Sequence, residues 1–206
     1  MARAHGQRSG PVTLKNKTLK KKTTKKKTTK NKAIGTRPVL IAVDGVNAGA
    51  VLAEARAALR SPSNGGISQW DASGLFQELA VGEAEAGMPS ARTLLLLYAA
   101  DLAFRLRWEI RPTLAEGRTV VAAPYVDTAM AFGRAAGLKA GWLENLFSFA
   151  PRAAERRFVH PRAARAPAVR DGFVAFSCDR IAAGREGRTR RQVIDETAAH
   201  LRRLER

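Results

Sequence analysis

The chain has 206 residues, a formal net charge of +18 and a single cysteine, Cys178. One cysteine excludes an intrachain disulfide and any metal site built from several cysteine ligands, and the three histidines are scattered without ligand spacing. No apolar run approaches the roughly 20 residues that cross a membrane, so we expect a cytoplasmic protein with one compact domain, no metal site and no membrane partner.

The first 35 residues differ sharply in composition from the rest of the chain. Ten lysines lie between Lys15 and Lys32, the unit KKKTT occurs twice, and the first acidic residue is Asp44. Such a segment cannot bury enough apolar surface to offset its conformational entropy, so we predict a disordered tail over residues 1–35. A lysine-rich tail contacts nucleic acid through phosphate charge without reading sequence. A tail that only increases solubility is the alternative.

A buried strand opens the rest of the chain. The run PVLIAV, Pro38–Val43, is apolar and contains β-branched residues, which is typical of a central strand in a parallel sheet. A glycine-containing turn follows at residues 44–49, and the alanine-rich stretch Ala50–Arg60 then has helical character. Strand, turn and helix in this order form the opening unit of a doubly wound fold.

The longest predicted helix lies in the middle of the chain. Ser90 is a suitable N-cap for a helix over Ala91–Glu116, Pro112 is expected to kink this helix, and Gly117 suits its C-terminal end. Two shorter elements are predicted before it, a strand over Ile67–Trp70 and a helix over Gly74–Glu85.

The C-terminal half alternates between strand and helix patterns. The run TVVAA, Thr119–Ala123, predicts a second buried strand beside Val39–Val43, and Thr189–Arg206 predicts a closing amphipathic helix. Helices are expected near Asp127–Gly137 and Gly141–Ala150, and further strands over Arg156–His160 and Phe173–Cys178. This alternation predicts a three-layer α/β domain over residues 36–206 with a mainly parallel central sheet.

One long segment carries a family resemblance. Residues Leu94–Leu138 read LLLLYAADLAFRLRWEIRPTLAEGRTVVAAPYVDTAMAFGRAAGL. They closely resemble the central helix, strand and following helix of thymidylate kinases, whose pattern is roughly LLLYAADRAQH, IRPAL, a glycine, a strand, DRYVDSS and an aromatic residue. The opening IAVDGVNAG more loosely resembles the phosphate-binding loop of that family, and little resemblance extends beyond about residue 150. The resemblance implies a P-loop nucleoside monophosphate kinase fold, although the chain is short where the lid would lie.

The loop after the first strand departs from the family at the positions that carry chemistry. A phosphate-binding loop needs a lysine that reaches the phosphates and a Ser or Thr hydroxyl that holds Mg²⁺. By the resemblance, Ala50 stands in the lysine position and Val51 in the threonine position, and the loop is one residue short. The candidate nucleotide-binding residues in this degenerate loop are Asp44, Gly45, Asn47 and Gly49.

A second group of family residues is also changed. The DRY of the family corresponds to Ala123-Pro124-Tyr125, which removes an Asp that serves the metal and an Arg that clamps phosphate. The Arg of AADR corresponds to Leu102, and the REPG stretch corresponds to Trp70–Ser73, with Trp in place of another phosphate-binding Arg. Most of these changes remove a cation or a metal-linked group.

Several aromatic and acidic positions match the family. By the resemblance, Tyr98, Tyr125, Asp127 and Phe132 form a base pocket, and Asp101 also matches. Because Tyr98 and Phe132 lie on apolar elements, packing in the hydrophobic core is the alternative role for these side chains.

The changed residues predict a thymidylate kinase-like protein that is catalytically inactive. Loss of one group that stabilises transition-state charge commonly lowers the rate by about 10² to 10³, so the loss of several leaves negligible activity. We therefore expect no catalytic residue and no cofactor, with a residual role in weak nucleotide binding or in scaffolding. The resemblance also implies a homodimer, because the family commonly dimerises through helices.

Two other functions remain open. In the first, the chain is an active dTMP kinase that uses ATP and Mg²⁺ and has relocated its phosphate clamps, for which the candidates are Arg152, Arg156, Arg157 and Arg162. In the second, it is a nucleic-acid-associated protein that acts through its basic tail, with the folded domain as a carrier.

Overall fold

A computed structural model of the chain describes residues 38–59, 65–86, 89–160, 172–181 and 189–206, with the backbone alone described for residues 81–86. The predicted tail over residues 1–35 and the candidate clamp Arg162 lie outside the described residues. The strands are β1 (Leu40–Gly45), β2 (Gly65–Gln69), β3 (Thr119–Ala123) and β4 (Glu155–Val159). The helices are α1 (Ala48–Leu59), α2 (Leu75–Ala86), α3 (Ala91–Arg105), α4 (Arg111–Ala115), α5 (Val126–Ala135), α6 (Ala140–Leu146), α7 (Phe173–Ile181) and α8 (Arg190–Leu204).

The four strands form one parallel sheet in the order β2-β3-β1-β4. In the central pair, Leu40 of β1 lies opposite Val120 of β3. On the outer side of β1, Ile41 lies opposite Glu155 of β4. The two strands predicted to be central are therefore neighbours, and the predicted parallel α/β sheet is confirmed.

Side chains on β1 alternate between two hydrophobic cores because successive residues of a strand point to opposite faces. On one face, Ile41 and Val43 pack with Val51 of α1. On the other face, Leu40 and Ala42 belong to a larger core that includes residues of α3, α5, α7 and α8. Helices on both faces of a parallel sheet give the three layers that the sequence predicted.

The long central helix contains an irregular turn. Ser90 caps α3 by accepting a hydrogen bond from the Thr93 amide, as predicted. After α3, residues Leu106–Ile110 form a π-helical turn, in which the Arg111 amide donates five residues back. Pro112 has no N–H to donate, which removes one regular helical hydrogen bond. The irregular turn lies just before the proline. The sequence had instead predicted a kink at the proline itself.

The prediction of a strand over Phe173–Cys178 is wrong, because these residues form helix α7. The buried residues of this segment are Phe173, Val174, Ser177 and Cys178, a spacing that places them on one face of a helix. A short apolar run is compatible with either a buried strand or a buried helix, so periodicity alone could not distinguish them.

The closing amphipathic helix is confirmed as α8. Thr189 and Gln192 form a capping box at its start, in which each side chain accepts a hydrogen bond from the backbone amide of the other. Val193, Ala198 and Leu201 are buried on one side of this helix. No helix within the described ranges is long and apolar enough to cross a bilayer.

Candidate functional site

The connection between β1 and α1 is only two residues long. Asn47 caps α1, because its Oδ1 accepts a hydrogen bond from the Ala50 amide at 2.9 Å and its carbonyl accepts one from Val51 at 2.9 Å. Of the other predicted loop residues, Gly45 ends β1 and Gly49 lies inside α1. Two of the first amides of α1 are therefore bonded within the chain, and no extended loop precedes the helix.

The two positions that correspond to the family's lysine and threonine lie in the core. Ala50 is 8% exposed and Val51 is 2% exposed. A Cβ atom on Gly45 would lie 2.9 Å from Cγ2 of Val51 and 3.0 Å from the Val159 carbonyl oxygen, so glycine is required for this close packing. Gly45 thus allows β1 to pack closely against α1 and β4.

The backbone of Gly172 lies against Ala48, the first residue of α1. A Cβ atom placed on Gly172, just before α7, would be 2.6 Å from Cβ of Ala48 and 3.6 Å from its amide nitrogen. The N-terminus of a helix is normally a favourable place for an anion, because its amides and its dipole point outward. Here part of the space beside that terminus is taken by the chain itself.

Asp44 joins the end of β1 to the start of α5. Its Oδ1 accepts hydrogen bonds from the amides of Tyr125 and Thr128, both at 2.9 Å, and from the Thr128 hydroxyl at 2.7 Å. Its Oδ2 is buried without a hydrogen bond within the described residues. Burial raises the pKa of Asp44 to about 6, and the nearby carboxylate of Asp127 also raises it.

A buried guanidinium lies at the carboxyl ends of β2 and β3, the edge at which doubly wound folds bind ligands. Arg105 is fully buried and donates hydrogen bonds to the Ser68 hydroxyl at 2.9 Å and to the carbonyl oxygens of Ser68 and Pro124 at 2.8 and 3.0 Å. Its Nη1 lies 3.9 Å from Oδ2 of Asp101. Asp101 also accepts two amide hydrogen bonds from the turn after β2. The Arg105 guanidinium therefore links α3 to the carboxyl ends of β2 and β3.

Two of the four predicted base-pocket residues, Tyr98 and Phe132, are fully buried in the core. The ring of Phe173, on α7, lies 4.5 Å from the Tyr98 ring and 5.2 Å from the Phe132 ring, measured between centroids. The Tyr98 hydroxyl donates a hydrogen bond to the Tyr125 carbonyl, and burial raises the pKa of Tyr98 above its ordinary value. Both side chains thus pack in the core, the alternative role that their apolar surroundings suggested.

The other two residues, Tyr125 and Asp127, line a cavity of about 280 Å³ at the start of α5. The Tyr125 hydroxyl donates to the Pro151 carbonyl at 2.7 Å, and burial raises the pKa of Tyr125 to about 12. Asp127 Oδ2 accepts hydrogen bonds from Nε and Nη2 of Arg156 at 2.8 and 2.7 Å. The remaining lining residues are Ala42, Val126, Phe147, Ala150, Pro151, Arg152 and Ala153.

The arginines considered as relocated phosphate clamps lie on different faces of the sheet. Arg152 and Arg156 line the cavity beside α5. Arg157 is the next residue of β4, so its side chain points to the opposite face. There it pairs with Glu54 of α1 at 2.8 Å and with Glu155 at 2.6 Å. These three described arginines therefore do not converge on one site.

Comparison with known proteins gives two findings, although no family model matches the chain. Over 57 residues the chain is 42% identical to the probable thymidylate kinase of Pyrococcus horikoshii. The fold is similar to the crystal structure of thymidylate kinase from Ehrlichia chaffeensis, with a TM-score of 0.50 and 13% sequence identity over 60% of this chain and 72% of that chain. The chain therefore resembles thymidylate kinases over part of its sequence and in its fold.

These findings confirm the resemblance over the matched segment and the class of the fold. At 13% identity the structural likeness concerns the fold alone. The sequence match covers 28% of this chain and 28% of the curated relative, so it spans only about a quarter of that protein.

Sequence reasoning did not identify the residues that organise this site. Arg105 stands four residues after Asp101 on a mainly apolar helix, and such a pair of opposite charges is a signal that could have located the network. Thr128 donates to Asp44 and accepts a hydrogen bond from the Gly45 amide at 3.0 Å. No local pattern marks Thr128, because its partners lie more than 80 residues away in the chain.

Proposed function

We propose that this chain is a thymidylate kinase-like protein that does not transfer phosphoryl groups. The observation that carries this proposal is the cap of α1: Asn47 bonds the Ala50 amide where a phosphate-binding loop would need free amides. The side chains of Ala50 and Val51 offer neither a cation nor a hydroxyl, and both are buried. These side chains do not fit a nucleoside triphosphate with its Mg²⁺. We therefore expect that the protein needs neither ATP nor Mg²⁺ for its function.

The positions of the cations support the same proposal. Lys139 is the single lysine after the tail and lies just beyond the C-terminal end of α5, whereas Asp44 bonds to the start of that helix. A helix of this length spans roughly 15 Å, so Lys139 is far from the end of β1. Arg105 is held in the core by three hydrogen bonds.

We further propose a residual binding or scaffolding role for the folded domain, with a second copy of the chain as its partner. The outer face of α3 and the following turn exposes three large apolar side chains, with Leu96 at 50%, Phe104 at 39% and Trp108 at 61%. Their spacing of four and eight residues places them along one helix face. Exposed apolar side chains in a row are typical of an interface.

An assay of dTMP phosphorylation with ATP and Mg²⁺ tests the loss of catalysis. We expect no turnover from the wild-type chain, because no cation among the described residues lies at the start of α1, where the transferring phosphoryl would need one. A rate within about a hundredfold of the roughly 1–100 per second of ordinary kinases would instead support the active-kinase alternative.

Restoration variants test whether the loop can be repaired. Ala50→Lys with Val51→Thr should give no activity and should lower the free energy of unfolding by several kcal/mol, because the lysine would be buried without a partner. Ala53→Lys is the matched control, since Ala53 is exposed on the same helix. Activity in the double variant, or equal melting temperatures of the two lysine variants, would contradict the proposed burial.

A further inference from the structure

The cavity beside α5 has a mixed lining that the loss of kinase chemistry does not explain. Its walls are mainly apolar and include Val126, Phe147 and Ala150. Its lining residues with polar or charged side chains are Tyr125, Asp127, Arg152 and Arg156. Small-molecule sites commonly combine apolar walls with a few convergent polar groups.

The two guanidinium groups are not equally neutralised. Arg156 is bound to Asp127 through Nε and Nη2, which leaves its Nη1 without a hydrogen bond to any described residue. Arg152 is exposed and lies within ion-pair distance of no carboxylate in the described ranges. Two cations therefore face one carboxylate at this cavity.

Asp44 adds a negative charge near this site but does not line it. Three donors solvate its Oδ1, namely the Tyr125 amide and the amide and hydroxyl of Thr128. Among the residues that line the cavity, two arginines face one carboxylate, so the lining itself carries one excess positive charge.

Size and charge together define the ligand. A volume of about 280 Å³ lies just below the roughly 300–1,000 Å³ of typical ligand sites, so the occupant is small. Guanidinium groups bind carboxylates and phosphates through charge-assisted hydrogen bonds. We propose that this cavity binds a small amphipathic anion, an aromatic or branched aliphatic group that carries one carboxylate or phosphate. The proposal does not depend on the loss of phosphoryl transfer.

Calorimetric titration of the full chain with benzoate, phenyl phosphate and benzamide tests this site. At least one of the two anions should bind saturably, while neutral benzamide, which has the same shape as benzoate, should bind at least tenfold more weakly. The tighter of the two anions identifies the anionic group of the natural ligand. Equal binding of benzamide and benzoate, or no saturable binding of either anion, would overturn the proposal.

Variants locate the binding and separate it from the basic tail. Arg152→Ala should weaken anion binding roughly tenfold, the loss expected for one charge-assisted hydrogen bond. Asp127→Asn should strengthen it, because Arg156 then loses its counter-ion. Arg107→Ala, at an exposed position on the outer face of the turn after α3, should leave affinity unchanged. Anion binding that survives Arg152→Ala at full strength would place the site elsewhere and refute the assignment.

Discussion

At the scale of single residues, Asp44 is a buried carboxylate with two oxygens in different surroundings. One oxygen accepts three hydrogen bonds and the other accepts none from the described residues. Burial, with the field of Asp127, raises its pKa to about 6 from an ordinary value of 3.8. The folded protein therefore holds this proton at a pH where the unfolded chain has lost it.

We predict a pH-dependent stability that is centred on Asp44. Because its folded pKa is higher than its unfolded pKa, the free energy of unfolding should fall as pH rises from about 4 to about 6. Asp44→Asn removes this titration, so from pH 4 to pH 7 its stability should rise relative to the wild type by up to about 3 kcal/mol. Urea unfolding at several pH values measures this difference. Asp195→Asn, at an exposed carboxylate on α8, should run parallel to the wild type. An Asp44→Asn profile that also runs parallel would contradict the prediction.

Sequence reasoning located Asp44 and Asn47 but did not identify what they do. Their positions follow from local pattern, since a buried strand ends at Asp44 and a helix begins soon after. Their partners do not, because the hydrogen bonds of Asp44 reach Tyr125 and Thr128, more than 80 residues away. Packing of α5 on β1 creates these contacts, and a single sequence does not show that packing.

At the scale of elements, α3 has two contrasting faces. Its inner face buries Leu94, Leu95 and Leu102 in the core. Its outer face exposes Leu96, and Phe104 and Trp108 continue the same row into the following turn. The first half of this helix is apolar on nearly all sides, a pattern that is typical of a core helix, so the sequence alone did not indicate the exposed row. This row is exposed among the residues that the structure describes, and it is the surface that we assign to a second copy.

A charge placed in this row should prevent self-association. We predict that the wild-type chain forms a dimer and that Leu96→Glu shifts it to monomer, with at least a tenfold rise in the dissociation constant, because the carboxylate would be desolvated in the interface. Sedimentation velocity over a range of concentrations measures this change. Leu75→Glu is the control, since Leu75 is also exposed, at 37%, but begins α2. A monomeric wild-type chain would rule out the proposed interface.

Elements with strong local signals were predictable, and ambiguous ones were not. Ser90 was predicted as the cap of the central helix and caps α3, and the helix predicted over Thr189–Arg206 agrees with α8. The apolar runs of β1 and β3 were identified as central strands because each is continuous, short and followed by a helix pattern. The run at Phe173–Cys178 has the same appearance, yet it packs as a helix against the aromatic side chains Tyr98 and Phe132. That choice depends on tertiary contacts.

At the scale of the whole molecule, positive charge is concentrated at one end of the chain. Ten lysines lie between Lys15 and Lys32, whereas the rest of the chain carries a single lysine, Lys139. We propose that residues 1–35 contact nucleic acid without sequence preference. Several lysines within a short segment can neutralise several phosphates at once, and each contact releases counterions.

The salt dependence of nucleic-acid binding tests the role of the tail. Full-length chain should bind unrelated DNA sequences with similar affinity at low salt, and the affinity should fall by a factor of about 10³ or more between 50 and 200 mM salt. Fluorescence anisotropy with a chain that begins at residue 36 provides the control, and we expect this truncated chain not to bind. Equal binding by both chains would show that the tail is not the contact. Absence of binding by both at low salt would leave solubility as its role.

The cap of α1 also limits which sequences can be reached from this one by single changes. An insertion that lengthened the loop would break the hydrogen bond between Asn47 and Ala50 before any new side chain could grip a phosphate. A lysine at position 50 would enter a buried site, and the backbone at Gly172 would still press on Ala48. We expect each step alone to lower stability without creating a phosphate site, so selection would act against it before the next step arose. In evolutionary terms, the loss of phosphoryl transfer that we propose would then be hard to reverse, whereas changes at the cavity beside α5 would not meet this obstacle.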